Sequence, residues 1–254
     1  MNLGERAESD WVLGVDVGGS AIKAGLVSVG DGKVLDSSAT KAVPPSTRPA
    51  DIADQVAKIV RSLDWDGPVG VTLPSVVINN IVRSAANIDK SWLGLNAQEL
   101  FSLHLPGSPA VSIINDADAA GMAEIKFGNP RARSGAAIFL TLGTGIGSAM
   151  LVDGVLFPNS ELGHLSIDGM EAEHRAAAVQ KTRNDWTFEE WAQQLNCVLN
   201  EYEKLFSPEL FVIGGGISAD FDQWEAYLHC KTPVVPAQLR NQAGVIGAAL
   251  AITQ

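Results

Sequence analysis

The chain has 254 residues and a net charge of −11, with 46% hydrophobic and 19% charged residues. That balance excludes a disordered or fibrous chain and fits either one large domain or two lobes of ordinary size. It argues against nucleic acid and anionic membranes as partners unless cations gather locally, and no apolar run approaches the roughly 20 residues of a membrane helix.

The segment MNLGERAESDW is polar and acidic, unlike a secretory leader, so a cytoplasmic protein is expected. Trp11 to Val17 then reads as a strand, followed by Gly18-Gly19, a second apolar run from Ile22 to Val29 and the turn Gly30-Asp31-Gly32. Walker and Rossmann loops instead feed a helix after their glycines. In Asp16-Val-Gly-Gly-Ser-Ala-Ile-Lys23 the paired glycines free backbone amides for phosphate oxygens. Ser20 adds a hydroxyl, Lys23 a cation, and Asp16 a carboxylate able to hold Mg²⁺ through water. A plain Gly-Gly hairpin is the other reading.

An alternating pattern follows: a helix over Pro49 to Leu63, strands over Val69 to Leu73 and Ala110 to Ile114, and a helix over Ala117 to Phe127. Asp116, between strand and helix, is placed to accept the proton of an attacking hydroxyl that Asn115 orients. A helix N-cap is the alternative role for this aspartate. Ala137 to Val152 repeats the layout of the first hairpin. Aligning Gly18 with Gly143 puts Val17 on Leu142 and Leu26-Val27 on Leu151-Val152, which predicts an internal repeat with a second phosphate hairpin at Gly143-Thr144-Gly145-Ile146-Gly147.

Glu161-Leu-Gly-His164 sets a carboxylate and an imidazole in one short turn, suited to vicinal hydroxyls. A solvated pair or a zinc half-site would look alike, but no cysteine lies between His164 and Cys197 to complete the latter. Cys197 and Cys230 lack CxxC spacing and read as buried thiols. Helices are expected over Trp186 to Phe206 and Gln242 to Ile252. Between them a strand ends at Gly214-Gly215-Gly216, whose amides would cradle an anion, although the same turn is a common α/β connection. Ligands of open α/β sheets gather beyond the carboxyl ends of strands, so Asp16, Pro74-Ser75, Asn115-Asp116, Thr144 and Gly214 to Gly216 are expected at one cleft.

In this order, DVGGSAIK, NDADAAG, GTGIG, ELGH and GGGIS resemble the ROK sugar kinases of the actin-like ATPase superfamily. GVTLPSVVINNIVRSAANIDKSW, NSELGHLSIDG, FSPELFVIGGGIS and TPVVPAQLRNQAGVIGAAL are similar, more closely, to its polyphosphate-using glucokinase branch. The resemblance covers Val12 to Ala251. It implies an α/β, two-lobed actin-like ATPase (ribonuclease H-like) fold with a central cleft. The lobes would be residues 11–114, completed by the C-terminal helix 242–254, and residues 115–241.

It further implies Mg²⁺-dependent transfer of a phosphoryl group from inorganic polyphosphate, or ATP, to the 6-hydroxyl of glucose, in a homodimer. By position Asp116 matches the base. Asn87, Asn115, Asp116, Glu161, His164 and Glu173 match the sugar contacts. Asp16, Gly18, Gly19, Ser20 and Lys23 match the first phosphate motif, Gly143, Thr144 and Gly145 the second, and Gly214, Gly215 and Gly216 the donor-side turn. The cysteine cluster that binds zinc in many relatives is missing after ELGH, so no structural zinc is expected. Ser75 stands where LPG is more usual.

Lys23, Arg83, Lys90, Lys126, Arg131, Arg133 and Arg240 are the candidate cations for guiding polyphosphate. The rival readings are an ATP-specific glucokinase, a broader glucose and mannose kinase, a sugar-responsive repressor and a non-catalytic sugar-binding protein. Only ten residues precede Trp11, which leaves no helix-turn-helix domain there for the repressor.

Overall fold

The computed structural model describes residues 10–19, 21–35 and 39–253. Ser20, in the first predicted phosphate motif, lies outside them. By contacts the chain forms two compact units, Met1–Ala120 with Gly244–Gln254, and Gly121–Ala243.

The first unit opens with β1 (Trp11–Val17) and β2 (Ala21–Ser28), an antiparallel hairpin paired from Trp11↔Ser28 to Val17↔Ile22. β3 (Ala39–Ala42) flanks β2. Helix α1 (Pro49–Ser62) starts with proline at its first turn and buries Ile52, Val56, Ile59 and Val60, the 3.6-residue stripe that an amphipathic helix turns to a core. β4 (Val69–Leu73) follows, parallel to β1. A small hairpin, β5 (Val77–Ile78) and β6 (Ile81–Val82), turns at Asn79 and Asn80, which both take positive φ as such two-residue turns require. Helix α2 (Ala97–His104), capped by Asn96, leads to β7 (Val111–Asn115), parallel to β4. The sheet order is β3-β2-β1-β4-β7.

Helix α3 (Asp116–Phe127) carries the chain into the second unit. Its first turns belong with the first unit, so Asn115 and Asp116 group there and not beyond the boundary expected ahead of Asn115. From Gly121 onward the helix packs elsewhere: a Cβ on that glycine would stand 2.7 Å from the Ala149 methyl.

The second unit repeats the plan of the first. β8 (Ala136–Leu142) and β9 (Ile146–Val152) form a hairpin, and β10 (Val155–Phe157) flanks β9. A short ribbon of β11 (Ser166–Ile167) and β12 (Met170–Glu171) precedes helices α4 (Ala172–Ala176) and α5 (Ala178–Arg183). Helix α6 (Phe188–Phe206) starts at a reciprocal capping box between Thr187 and Glu190, ends at Ser207 in the left-handed region, and buries Trp191, Leu195, Leu199 and Tyr202. β13 (Leu210–Gly214), α7 (Phe221–Trp224) and β14 (Val234–Pro236) complete it, with the Trp191 and Trp224 rings edge to face at 5.2 Å. The order β10-β9-β8-β13-β14 matches the first sheet strand for strand, two antiparallel neighbours and then two parallel ones.

The ungapped alignment of the two hairpins needs one correction. Val17 pairs with Ile22 but Leu142 with Ile146, so the first turn is one residue longer. Leu26-Val27 therefore correspond to Met150-Leu151, not Leu151-Val152.

The chain returns to the first unit as α8 (Ala243–Leu250), three residues shorter than the expected Gln242 to Ile252, because Gln242 ends a preceding 3-10 turn and Ala251–Thr253 tighten into another. Gly14 and Gly70 let it lie against the sheet, since a Cβ on either would come within 2 Å of the Val245 or Ala248 carbonyl oxygen. No helix among the described residues is long and apolar enough to cross a membrane. Cys197 is exposed and Cys230 half-buried, against the expectation of buried thiols. Cys197 falls on the outer face of α6, between the inward-facing Asn196 and Val198.

Candidate active site

In the first unit β1, β4 and β7 run parallel, and their carboxyl ends bring several predicted residues to one edge of the sheet. Asp16 lies opposite Lys23 in the hairpin register and beside Thr72 on β4. The Thr72 hydroxyl donates to Asp16 Oδ1 at 2.9 Å and accepts from the Val17 amide at 3.1 Å. Gly244, in the first turn of α8, lies against the same carboxylate; a Cβ there would stand 2.6 Å from Cγ. Burial raises the Asp16 pKa, an effect that the Thr72 hydrogen bond and the Lys23 charge oppose without cancelling. Gly18 closes the turn, its amide donating to Ala21 O at 3.0 Å.

At the end of β7 the capping role falls to Asn115 and not Asp116. Asn115 Oδ1 accepts from the amides of Ala117 and Asp118 at 2.9 and 3.0 Å, the geometry of an N-cap, and its Nδ2 donates to Ser75 O at 3.2 Å. Asp116 is thereby the first helical residue, half-buried, with Oδ1 accepting from the Ala117 amide at 2.9 Å. Because Asn115 uses its oxygen on the helix, one Nδ2 hydrogen is what it has left for a ligand. Asn87 lies exposed in the loop after β6, and no hydrogen bond among the described residues links it to Asn115 or Asp116.

In the second unit the glycine hairpin and the ELGH turn pack on each other. Gly143 donates to Gly145 O at 3.0 Å, and its own carbonyl accepts from Val179 at the start of α5. The turn Leu162–His164 is pressed onto β9: a Cβ on Gly163 would lie 2.1 Å from Ile146 O. Leu162 N donates to Ser148 Oγ at 2.9 Å, and Tyr202 Oη to Leu162 O at 2.6 Å. These contacts fix the direction of His164.

Around that imidazole stand three carboxylates. Nε2 is 3.6 Å from Glu161, and Nδ1 is 3.2 Å from Glu171 and 3.8 Å from Glu173. Glu173 Oε2 also accepts from Ile146 N at 3.4 Å, which joins the sugar-type cluster to the phosphate-type hairpin. Burial raises the pKa of Glu161, with Glu173 adding to the rise and His164 opposing it. For His164, partial burial pulls the pKa down. The Glu171 hydrogen bond and the charges of Glu173, Glu161 and Glu171 outweigh that and leave it raised. Glu171 was missed from sequence, and its place opposite Ser166 in the β11-β12 ribbon gives no periodic signal. One donor atom each from His164, Glu171 and Glu173 falls within 4.8 Å of the others, a spacing that also admits a metal ion. An imidazole ringed by acceptors equally suits the donors and acceptors of a polyol.

The third predicted phosphate element follows β13. Gly215 has φ 85°, and a Cβ on it would meet Leu142 O at 2.2 Å, so the Gly214 to Gly216 turn packs directly on the end of β8. Beside it, sequence reasoning missed an open cavity of about 450 Å³, walled by Ser218, Phe221, Pro236, Gln238, Asn129 and Arg240 among others.

Two sheets of identical order, each ending in a glycine hairpin, define the actin-like α/β architecture of sugar kinases. The ROK family pattern matches residues 12–181, and the chain belongs to the ROK family. The polyphosphate glucokinase of Mycobacterium tuberculosis is 47% identical over 239 residues, 94% of this chain and 90% of that protein. The crystal structure of inorganic polyphosphate/ATP-glucomannokinase from Arthrobacter sp. strain KM superposes with a TM-score of 0.91 at 42% identity, covering 96% of this chain and 99% of that one. A ROK family glucokinase from Streptomyces griseus, solved with glucose and AMPPNP, shares the fold at 24% identity and a TM-score of 0.81, covering 96% and 100%.

Proposed function

We propose that this chain is a polyphosphate-dependent glucokinase, moving the terminal phosphoryl group of inorganic polyphosphate, and also of ATP, to the 6-hydroxyl of glucose. The observation that carries the reading is the 47% identity to polyphosphate glucokinase across 94% of the chain. Mannose as a second acceptor rests on the similarity to the Arthrobacter glucomannokinase.

In this reading Asp116 takes the proton of the attacking hydroxyl, and Asn115 positions that hydroxyl with its remaining Nδ2 hydrogen. Glu161, His164 and Glu173 hold the other hydroxyls, with Asn87 as a further contact. The amides of Gly18, Gly19, Gly143, Thr144, Gly145 and Gly214 to Gly216, the Ser20 hydroxyl and the Lys23 ammonium offset charge on the phosphoryl oxygens. Asp16 fits Mg²⁺ held through water, because it is a single strand-end carboxylate fixed on one oxygen by Thr72, and magnesium keeps most of its waters. A cation bound there would neutralise charge on the transferred group. No structural zinc is part of this reading. A cytoplasmic homodimer is part of the same reading, as the resemblance to ROK sugar kinases implies.

The test supplies glucose with polyphosphate and with ATP, each free of the other. Glucose 6-phosphate formed from polyphosphate supports the reading; turnover with ATP alone makes the chain an ATP glucokinase, and no turnover with either, with glucose still bound, makes it a sugar-binding protein.

A further inference from the structure

We propose that the body of a polyphosphate chain leaves the donor turn through the cavity beside it and passes over Arg240, Arg131 and Lys126. The inference rests on the reading of polyphosphate as donor. In the second unit β13 and β14 are parallel, and the cavity is lined by residues at and after their carboxyl ends. Ser218 and Phe221 come from the stretch after the glycine turn, while Ala237 is clamped to β13 by donating to Ile213 O at 2.8 Å. A phosphoryl group held by the Gly214 to Gly216 amides would therefore have this opening directly beside it.

Its walls are held by a buried carboxylate. Glu124 of α3, 1% exposed, accepts from the Leu239 amide at 2.6 Å, and the amides of Gln238 and Asn129 also face it. Gly128 must be glycine, because a Cβ would lie 1.9 Å from Glu124 Oε2. That hydrogen bond ties the segment carrying Arg240 to α3, whose end leads into the segment carrying Asn129 and Arg131.

The rim carries the charge that a polyanion needs. Arg240 lines the cavity with its backbone in the left-handed region at φ 49°, unusual for arginine. Arg131 follows Asn129, to whose side-chain oxygen its amide donates at 3.1 Å. Both guanidinium groups are exposed and form no ion pair among the described residues. Lys126 is exposed on the last turn of α3, and its carbonyl and that of Ile125 accept from Arg133, whose guanidinium is thereby committed to capping the helix. Asp222 is the one carboxylate in the cavity wall. Arg240 in the wall is offset by Asp222, so the path draws its positive charge from Arg131 and Lys126 on the adjoining segment, and a long polyanion reaching them meets more cations than a short one.

The test compares KM for long-chain polyphosphate and for tripolyphosphate in the wild-type chain, in Arg131→Gln/Arg240→Gln, and in the charge-matched control Lys58→Gln/Arg61→Gln, whose side chains are exposed on α1, with melting temperatures to check folding. Loss of two exposed ionic contacts should raise the long-chain KM roughly five- to thirtyfold, raise the tripolyphosphate KM much less, and flatten the dependence of the long-chain KM on salt. An equal rise for both donors, no rise, or an equal effect of Lys58→Gln/Arg61→Gln would overturn the path. If the wild-type chain makes no glucose 6-phosphate from polyphosphate of any length, the donor assignment itself fails, a separate outcome.

Discussion

Asn115 spends one Nδ2 hydrogen on the carbonyl oxygen of Ser75, 3.2 Å away, and so ties the start of α3 to the loop after β4. The same side chain caps α3, so truncation removes a cap and leaves a buried carbonyl without its donor. Asn115→Ala should cost roughly 2 kcal/mol in denaturant unfolding, whereas Asn115→Asp, which keeps the cap acceptor, should cost less. Unfolding of Asn115→Ala at the wild-type midpoint would show that the cap is not formed.

Asp16 predicts a trade between stability and activity. Burial raises its pKa above the ordinary 3.8, so the folded state binds the proton more tightly than the unfolded state. Stability is then lost as pH rises from 3.8 through the raised value, and the full penalty is present at neutral pH. Asp16→Asn should melt higher than wild type at pH 7, with the gain shrinking toward pH 3.8, while turnover falls. Melting curves across that range give the check, and a gain independent of pH would exclude the titration of Asp16 as its source.

Gly145 stands against Glu173, where a Cβ would lie 2.4 Å from Oε2 and displace the carboxylate from the Ile146 amide. Gly145→Ala should raise KM for glucose roughly tenfold, the worth of one charged hydrogen bond. Glu173→Gln, which leaves the hairpin intact, should raise it in the same direction. A change confined to the donor KM in both variants would remove Glu173 from the sugar site.

The features that sequence made legible are those set by short-range rules. The hairpin glycines, the parallel strand Val69–Leu73 and the helix from Pro49 follow from periodicity and turn chemistry, and all stand where expected. The role of Asp116 was legible only as a choice between base and N-cap; β7 ends at Asn115, whose Oδ1 accepts from the Ala117 and Asp118 amides, so the cap falls to Asn115. Helix α2 was missed because its eight residues sit between loops without a long apolar stripe. Thr72 and Glu124 were hidden because each acts through a partner far along the chain, Asp16 at 56 positions and Leu239 at 115, whereas Glu171 lies only seven positions from His164 in a short ribbon without periodic signal.

Asp116 is the one group proposed to take the proton, and the deciding measurement is turnover of Asp116→Asn with glucose and polyphosphate beside its glucose affinity and melting temperature. Loss of a general base predicts a fall of roughly 10² to 10⁴ in kcat, with glucose binding and fold retained. Near-normal kcat in a folded variant would contradict it and move the proton acceptor elsewhere.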